Sequence, residues 1–292
     1  MRKPLALSLL LALRPKQWIK NLLLFAGLLF TLNEKHPPDA WMQVFLGFVL
    51  FCLLSGCTYL FNDLRDREAD CQHPVKKSRP IASGDLPVPV AAGFALVVTP
   101  LTLLGGWFLL GGPFTFAAIG YAMVTLLYSL FLKHLVLIDV FTLAAGFVLR
   151  AVAGSVAVPV VPSEWLLLCT FLLALFIGLN KRRSEIVALG DAPPTRRILA
   201  EYSIGFLDQM ITLVATTCVV SYLLYSFLSP TGRAHPYLMG TAPFVLYGIF
   251  RYLYLAQAKG KGEAPETVLL TDRPMAINLL LWLVAVAFAL LQ

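Results

Sequence analysis

The sequence predicts an all-α, polytopic membrane protein: nine transmembrane helices forming one intramembrane domain over residues 1–292. Three observations carry this prediction. Hydrophobic residues fill 59% of the 292 positions and charged residues only 13%, with a mean hydropathy of +0.78. Several apolar runs match the roughly 20 helical residues that cross a hydrocarbon core. They are far longer than the roughly 10-residue strands of a membrane barrel. Finally, Lys and Arg are shared very unevenly among the loops.

Residues 1–13 begin with Arg2 and Lys3 and continue as the apolar run Leu5–Leu13. No small-x-small cleavage site follows, and the run is too short to span. It reads as a helix lying at the cytosolic interface. Nine spans follow, near 18–32, 40–60, 88–110, 113–132, 135–157, 163–180, 208–228, 237–257 and 274–291. The first is short and starts earlier if Lys16 and Lys20 snorkel. Gly111-Gly112-Pro113 reads as a tight helix–helix turn, and Asp272 before Arg273-Pro274 as a helix cap.

The charges orient these spans. Five Lys and Arg lie between the N-terminus and Lys20. Loop 61–87 carries Arg65, Arg67, Lys76, Lys77 and Arg79, and the turn near 134 carries Lys133. Loop 181–207 carries Lys181, Arg182, Arg183, Arg196 and Arg197, and loop 258–273 carries Lys259, Lys261 and Arg273. With nine spans all of these fall on one side, opposite only Lys35 and Arg233. The basic side is expected to be cytoplasmic. The prediction is therefore a multi-pass protein of the plasma (inner) membrane, N-terminus inside and C-terminus outside. The net charge of +7 then belongs to topology and phosphate groups rather than to nucleic acid. Cys52, Cys57, Cys71, Cys169 and Cys218 show no metal-ligand spacing, which argues against zinc and disulfides.

Loops 61–87 and 181–207 each open with a polar cluster and are the expected active-site loops. The first cluster is Asn62, Asp63, Asp66 and Asp70. If span 2 stays helical through residue 70, the four side chains share an arc of about 100°. Oxygen ligands on one wall suit a hard cation such as Mg²⁺, which usually brings substrate phosphates with it. The plain alternative is a solvated helix end. Lys76 and Arg79 follow closely and supply cations for diphosphate oxygens that a metal leaves uncovered. His73, before Pro74, reads as structural.

The run Asn62-Asp63-x-x-Asp66-x-x-x-Asp70, followed by Lys76-x-x-Arg79-Pro80-Ile81-Ala82-Ser83-Gly84, resembles the first signature of the UbiA superfamily of intramembrane prenyltransferases. That resemblance implies a nine-helix bundle, Mg²⁺ (or Mn²⁺ in its place) and a polar cavity facing the cytosol. The second signature of the superfamily is a further Asp-rich motif after span 6. Here that position reads Asn180-Lys181-Arg182-Arg183-Ser184-Glu185. Spacing alone reads equally well as an i,i+4 pair of Lys181 with Glu185, flanked by membrane-anchoring arginines. The chain is more similar to the polyprenyl-phosphate phosphoribosyltransferases of the decaprenyl-phosphate type. The similarity extends to Leu13–Asn21, to Ile138-Asp139-Val140 with Leu149-Arg150-Ala151, and to Lys-Arg-x-x-Glu after span 6. Arg183 departs from that pattern, which usually has an aromatic there.

The resemblance implies Mg²⁺-dependent transfer of 5-phosphoribose from 5-phosphoribosyl 1-diphosphate to polyprenyl phosphate, for cell-envelope arabinan precursors, and it admits a homo-oligomer. Asp66, Asp70, Lys181 and Arg182 are expected to carry the reaction, with Asn62 and Asp63 completing the metal wall. Arg14, Lys16, Lys20, Asn21, Lys76, Arg79, Tyr128, Lys133, Asp139, Arg150 and Glu185 are the expected substrate contacts. For Arg14, Lys16, Lys20 and Asn21, interfacial anchoring competes with phosphate binding. Asp139 and Arg150 lie about 16 Å apart along span 5 and cannot pair. For Asp139 the competing reading is a neutral, hydrogen-bonded residue at the helix start, and for Arg150 a buried structural pair. Transfer of a prenyl group to an aromatic acceptor is the alternative reading, which the basic second motif disfavours. A transporter of a phosphorylated solute would spread polar residues through the full depth, whereas here they crowd one side.

Overall fold

The computed structural model describes residues 4–72, 76–190, 197–260, 262, 267–268 and 271–292. Arg2, Lys3, His73, Arg196 and Lys261 lie outside the described residues. Twelve helices are labelled here in chain order. They are α1 (Leu5–Ala12), α2 (Ala26–Leu29), α3 (Ala40–Arg65), α4 (Arg67–Gln72), α5 (Val88–Leu110) and α6 (Gly112–Leu130). Then come α7 (Ile138–Val156), α8 (Glu164–Leu189), α9 (Ile204–Leu228), α10 (Pro230–Ala234), α11 (Ala242–Leu253) and α12 (Arg273–Leu291). No strand occurs among the described residues, and eight helical stretches are long and apolar enough to cross a membrane.

The first expected span is the difference from nine. Pro15–Phe25 winds as a 3-10 helix that runs into α2. With a rise of about 2.0 Å per residue in the 3-10 part and 1.5 Å in the α part, Pro15–Leu29 reaches about 28 Å. That is close to the hydrocarbon thickness of about 30 Å. The segment packs against α7 at Gly154, where the Leu24 backbone occupies the place of a Cβ. Arg14 precedes it in the left-handed conformation, at φ 54°. This costs a non-glycine residue about 1–3 kcal/mol and persists only where its surroundings hold it.

Two further boundaries matter for the site. Helix α8 continues to Leu189, so Asn180–Glu185 lies within a helix and not at the start of a loop as expected. Helix α3 ends at Arg65, yet the Asp66 and Asp70 amides still donate to the carbonyls four residues back. The helical arc over Asn62–Asp70 is thus nearly continuous. Gly111 makes the expected turn between α5 and α6 with φ 88°, and Asp272 caps α12 by accepting from the Met275 amide.

Apolar packing sets the frame. Helices α7, α8, α9 and α11 share one core around Phe176, Leu207 and Tyr252. Helix α3, the first span, α6 and α7 share another around Phe51, Leu24 and Tyr121. A smaller cluster of Leu13, Leu60, Ile81 and Leu86 pins the chain after residue 79 against α1 and α3. It brings Arg79 back over the end of α3.

Candidate active site

The acidic wall forms as the sequence predicts, but every carboxylate on it is already paired with a cation. Asp63 is 2% exposed and accepts from Arg14 at 2.5 Å and from Arg79 at 3.0 Å. Arg79 also reaches Asp70 at 2.6 Å. Lys133, from the turn after α6, holds both oxygens of Asp66 at 2.8 and 3.0 Å. Arg14 also lies over the Tyr59 ring. Arg65 turns away, donating to the Leu130 carbonyl.

This changes the expected roles on the wall. Asp63 braces two guanidinium groups through one oxygen and is the most buried carboxylate of the wall. Asp66 keeps a quarter of its side chain exposed, and Asn62, one turn earlier, is half-buried. Among the described residues, no three His, Cys, Asp or Glu side chains enclose a metal by themselves. Mg²⁺ does not need such a cage, since it is commonly held by one or two carboxylates plus substrate phosphates. The hard oxygen donors of Asp66 and Asn62 fit that coordination.

On α8, Arg182 is withdrawn from solvent. It is 1% exposed and donates through Nε to Asp139 at 2.6 Å, through Nη1 to Glu185 at 2.6 Å and through Nη2 to Tyr128 at 3.0 Å. The expected phosphate-holding role of Arg182 therefore gives way to that of a hub, with half-buried Glu185 and Tyr128 at its rim. Asp139, fully buried, accepts a second hydrogen bond from the Tyr202 hydroxyl at 2.7 Å. Burial first, and then the bond to Asp139, raise the Tyr202 phenol above its ordinary pKa, so it remains a donor. The sequence reading missed Tyr202, because no local pattern marks a Tyr that precedes a span. Arg183 points the other way, pairing with Asp208 on α9 at 2.5 Å. It bridges α8 to α9.

Lys181 is half-buried and lies within electrostatic reach of Lys20, Arg182, Glu185 and Tyr128. Lys20 lines a cavity of about 790 Å³ between the first span, α7, α8, α9, α11 and α12. Its walls are mostly apolar, among them Phe147, Leu173, Ile177 and Ile249. It runs from Lys20 at one end to Glu34 and Thr231 at the other.

The remaining expected residues divide. Lys133 and Tyr128, five positions apart at the end of α6, join the two charged regions. Lys76 is half-buried and Lys16 exposed near the same end. Arg150 and Asn21 lie deeper and do not reach the charged cluster. Arg150 donates to Asn21 at 2.8 Å, to the Gly146 carbonyl at 2.9 Å and to Tyr121 at 2.9 Å, and stacks over Tyr121. Asn21 passes the contact on to Ser55 of α3. Together these two residues staple four elements, the first span, α3, α6 and α7, which favours the structural role for both.

Comparisons with known proteins agree with this architecture. The model of the UbiA prenyltransferase family matches residues 22–280. The decaprenyl-phosphate phosphoribosyltransferase of Corynebacterium glutamicum is 36% identical over 297 residues, covering 98% of this chain and 88% of that protein. The protein of the same name from Mycolicibacterium smegmatis is 35% identical, covering 99% of this chain and 94% of its own length. A UbiA homolog from Archaeoglobus fulgidus, solved bound to GPP and Mg²⁺, superposes with a TM-score of 0.74 at 18% identity, covering 97% of this chain and 99% of that one. With the family match spanning most of the chain and relatives of this identity along nearly its whole length, the chain belongs to the UbiA prenyltransferase family and is a transferase.

Proposed function

We propose that this protein transfers 5-phosphoribose from 5-phosphoribosyl 1-diphosphate to a polyprenyl phosphate of the decaprenyl type. The observation that carries the reading is the junction of an apolar cavity with a charged cluster. Lys20 lines the cavity, Lys181 lies within its electrostatic reach, and the carboxylate wall stands across the end of α6. The lipid phosphate would rest on Lys20 and Lys181, with its tail in the cavity. The names of the relatives support the same acceptor and the same transferred group.

Each residue then has a task. Arg79 and Arg14, braced on Asp63, and Lys133 offer their remaining N–H donors to the diphosphate oxygens. Asp66 and Asn62 would hold Mg²⁺, which when bound neutralises charge building on the diphosphate. Glu185 and Tyr128 meet the ribose hydroxyls. The C1–O bond to the diphosphate breaks, the diphosphate leaves with the electron pair, and a lipid phosphate oxygen bonds C1. That nucleophile is already ionised, so it needs positioning more than a general base. Cations placed on the leaving group lower the barrier because negative charge grows there in the transition state. The basic loops support a cytosolic face for this site through the positive-inside rule. The product would serve as a lipid-linked pentose precursor for the cell envelope.

The test is purified protein with labelled 5-phosphoribosyl 1-diphosphate, Mg²⁺ and a short polyprenyl phosphate. Lipid-linked phosphoribose is the expected product. No such product, with prenylation of 4-hydroxybenzoate from a prenyl diphosphate instead, would replace this reading with the aromatic one.

A further inference from the structure

We propose that Tyr202 is a positioning residue for the sugar donor. Its hydroxyl, lodged between the Leu137 amide and the Asp139 carboxylate, sets the orientation in which Arg182 presents Glu185 and Tyr128. The ribose assignment rests on the function proposed above.

Leu137 is the starting observation. It opens α7 at φ 65° and ψ −40°, a conformation that a bulky aliphatic residue rarely adopts. Such a residue persists only where its surroundings over-determine it. No side chain of its own caps the helix. The Tyr202 hydroxyl does so from outside, accepting from the Leu137 amide at 2.7 Å. The same hydroxyl donates to Asp139 Oδ1 at 2.7 Å, while Arg182 Nε donates to Asp139 Oδ2 at 2.6 Å. Tyr202, Asp139 and Arg182 are each at most 5% exposed, so water does not compete for these bonds.

The guanidinium group makes this line a lever. It is planar and rigid, so fixing Nε against Asp139 fixes the directions of Nη1 and Nη2. Those two nitrogens hold Glu185 and Tyr128. The 3-10 turn Arg197–Glu201 that leads into Tyr202 packs on α8 and on the turn Leu132–His134 that carries Lys133. The segment leading into Tyr202 is therefore seated on both charged regions at once. Its ring also stacks with Phe206, a packing contact that a Phe would keep. Tyr202→Phe thus removes the hydroxyl alone.

In detergent-solubilised full-length protein, Tyr202→Phe is expected to raise KM for 5-phosphoribosyl 1-diphosphate about tenfold, as for loss of one hydrogen bond to a charged group. KM for polyprenyl phosphate should stay within about twofold and kcat should fall less than the donor KM rises. Hydrogen exchange at the Leu137–Val140 amides should accelerate. Asp139→Asn, which keeps the side-chain shape, should give the same donor-selective defect and serves if the first variant does not fold. Equal rises in both KM values, or none, would overturn the positioning role. Unchanged exchange at Leu137 would overturn the clamp itself, whatever the substrate. If the wild-type enzyme transfers no phosphoribose, the functional reading fails together with the ribose assignment, while the exchange measurement still judges the clamp.

Discussion

The end of α3 and the last turns of α8 carry opposite charge in the sequence, yet they differ more in how their charges are held. At the end of α3 each pair keeps one member at the solvent: Asp66 at 26% against Lys133 at 9%, and Arg79 at 25% against Asp70 at 6%. A charged ligand can reach the solvent-facing member, where pairing gains less net energy than between two buried charges. On α8, Arg182 and Asp139 are buried together with their hydrogen bonds nearly complete. Opening that pair strands a charge in a low-dielectric interior. One region is built to change partners and the other to stay as it is. A charge pattern alone does not separate a binding wall from a scaffold; the exposure of the pairs does.

The sharpest way to break this contrast is Asp66→Asn. It should lower kcat/KM by about a thousandfold, the upper range for losing one group that stabilises transition-state charge. The melting temperature should hardly move, since the Asn oxygen still accepts from Lys133. Wild-type activity would return the acidic wall to a solvated helix end. Arg182→Met should do the reverse, costing about 3–5 kcal/mol of stability by leaving Asp139 buried and unpaired. A melting temperature like that of the wild type would show that the α8 pair is not a scaffold. Lys20→Gln should raise KM for the lipid phosphate about tenfold and leave the sugar donor's nearly unchanged, as for one charge-assisted contact. A donor-selective effect would put Lys20 on the other substrate. The smallest effect is expected from Arg183→Gln, because its partner Asp208 is 41% exposed. Below about 1 kcal/mol of stability should be lost, with turnover intact; a collapse in turnover would return Arg183 to the site.

Much of the fold was legible because it is local. Asn62, Asp66 and Asp70 share a face by helical period alone, and the Asp272 cap and the Gly111 turn follow from neighbouring residues. Arg150 and Asp139 were rightly kept apart by their spacing, but their partners were out of view. The first span was expected but its 3-10 winding was not; the segment packs on Gly154 of α7, far along the chain. Arg182 was expected to face a phosphate and instead lies inside, since α8 runs two turns beyond where hydropathy ends it.

The sequence by itself determined the apolar helices, the crowding of charge toward one side, the acidic arc and the family signature. All of these are properties of residues within a few turns of one another. Only the tertiary structure decided which cation meets which carboxylate. Arg14 and Asp63 are 49 residues apart, Lys133 and Asp66 67, Arg182 and Asp139 43, and Tyr202 and Asp139 63. A charged side chain carries no mark of its partner along the chain. The choice is made when packed helices bring each buried charge neighbours close enough to offset the cost of leaving water.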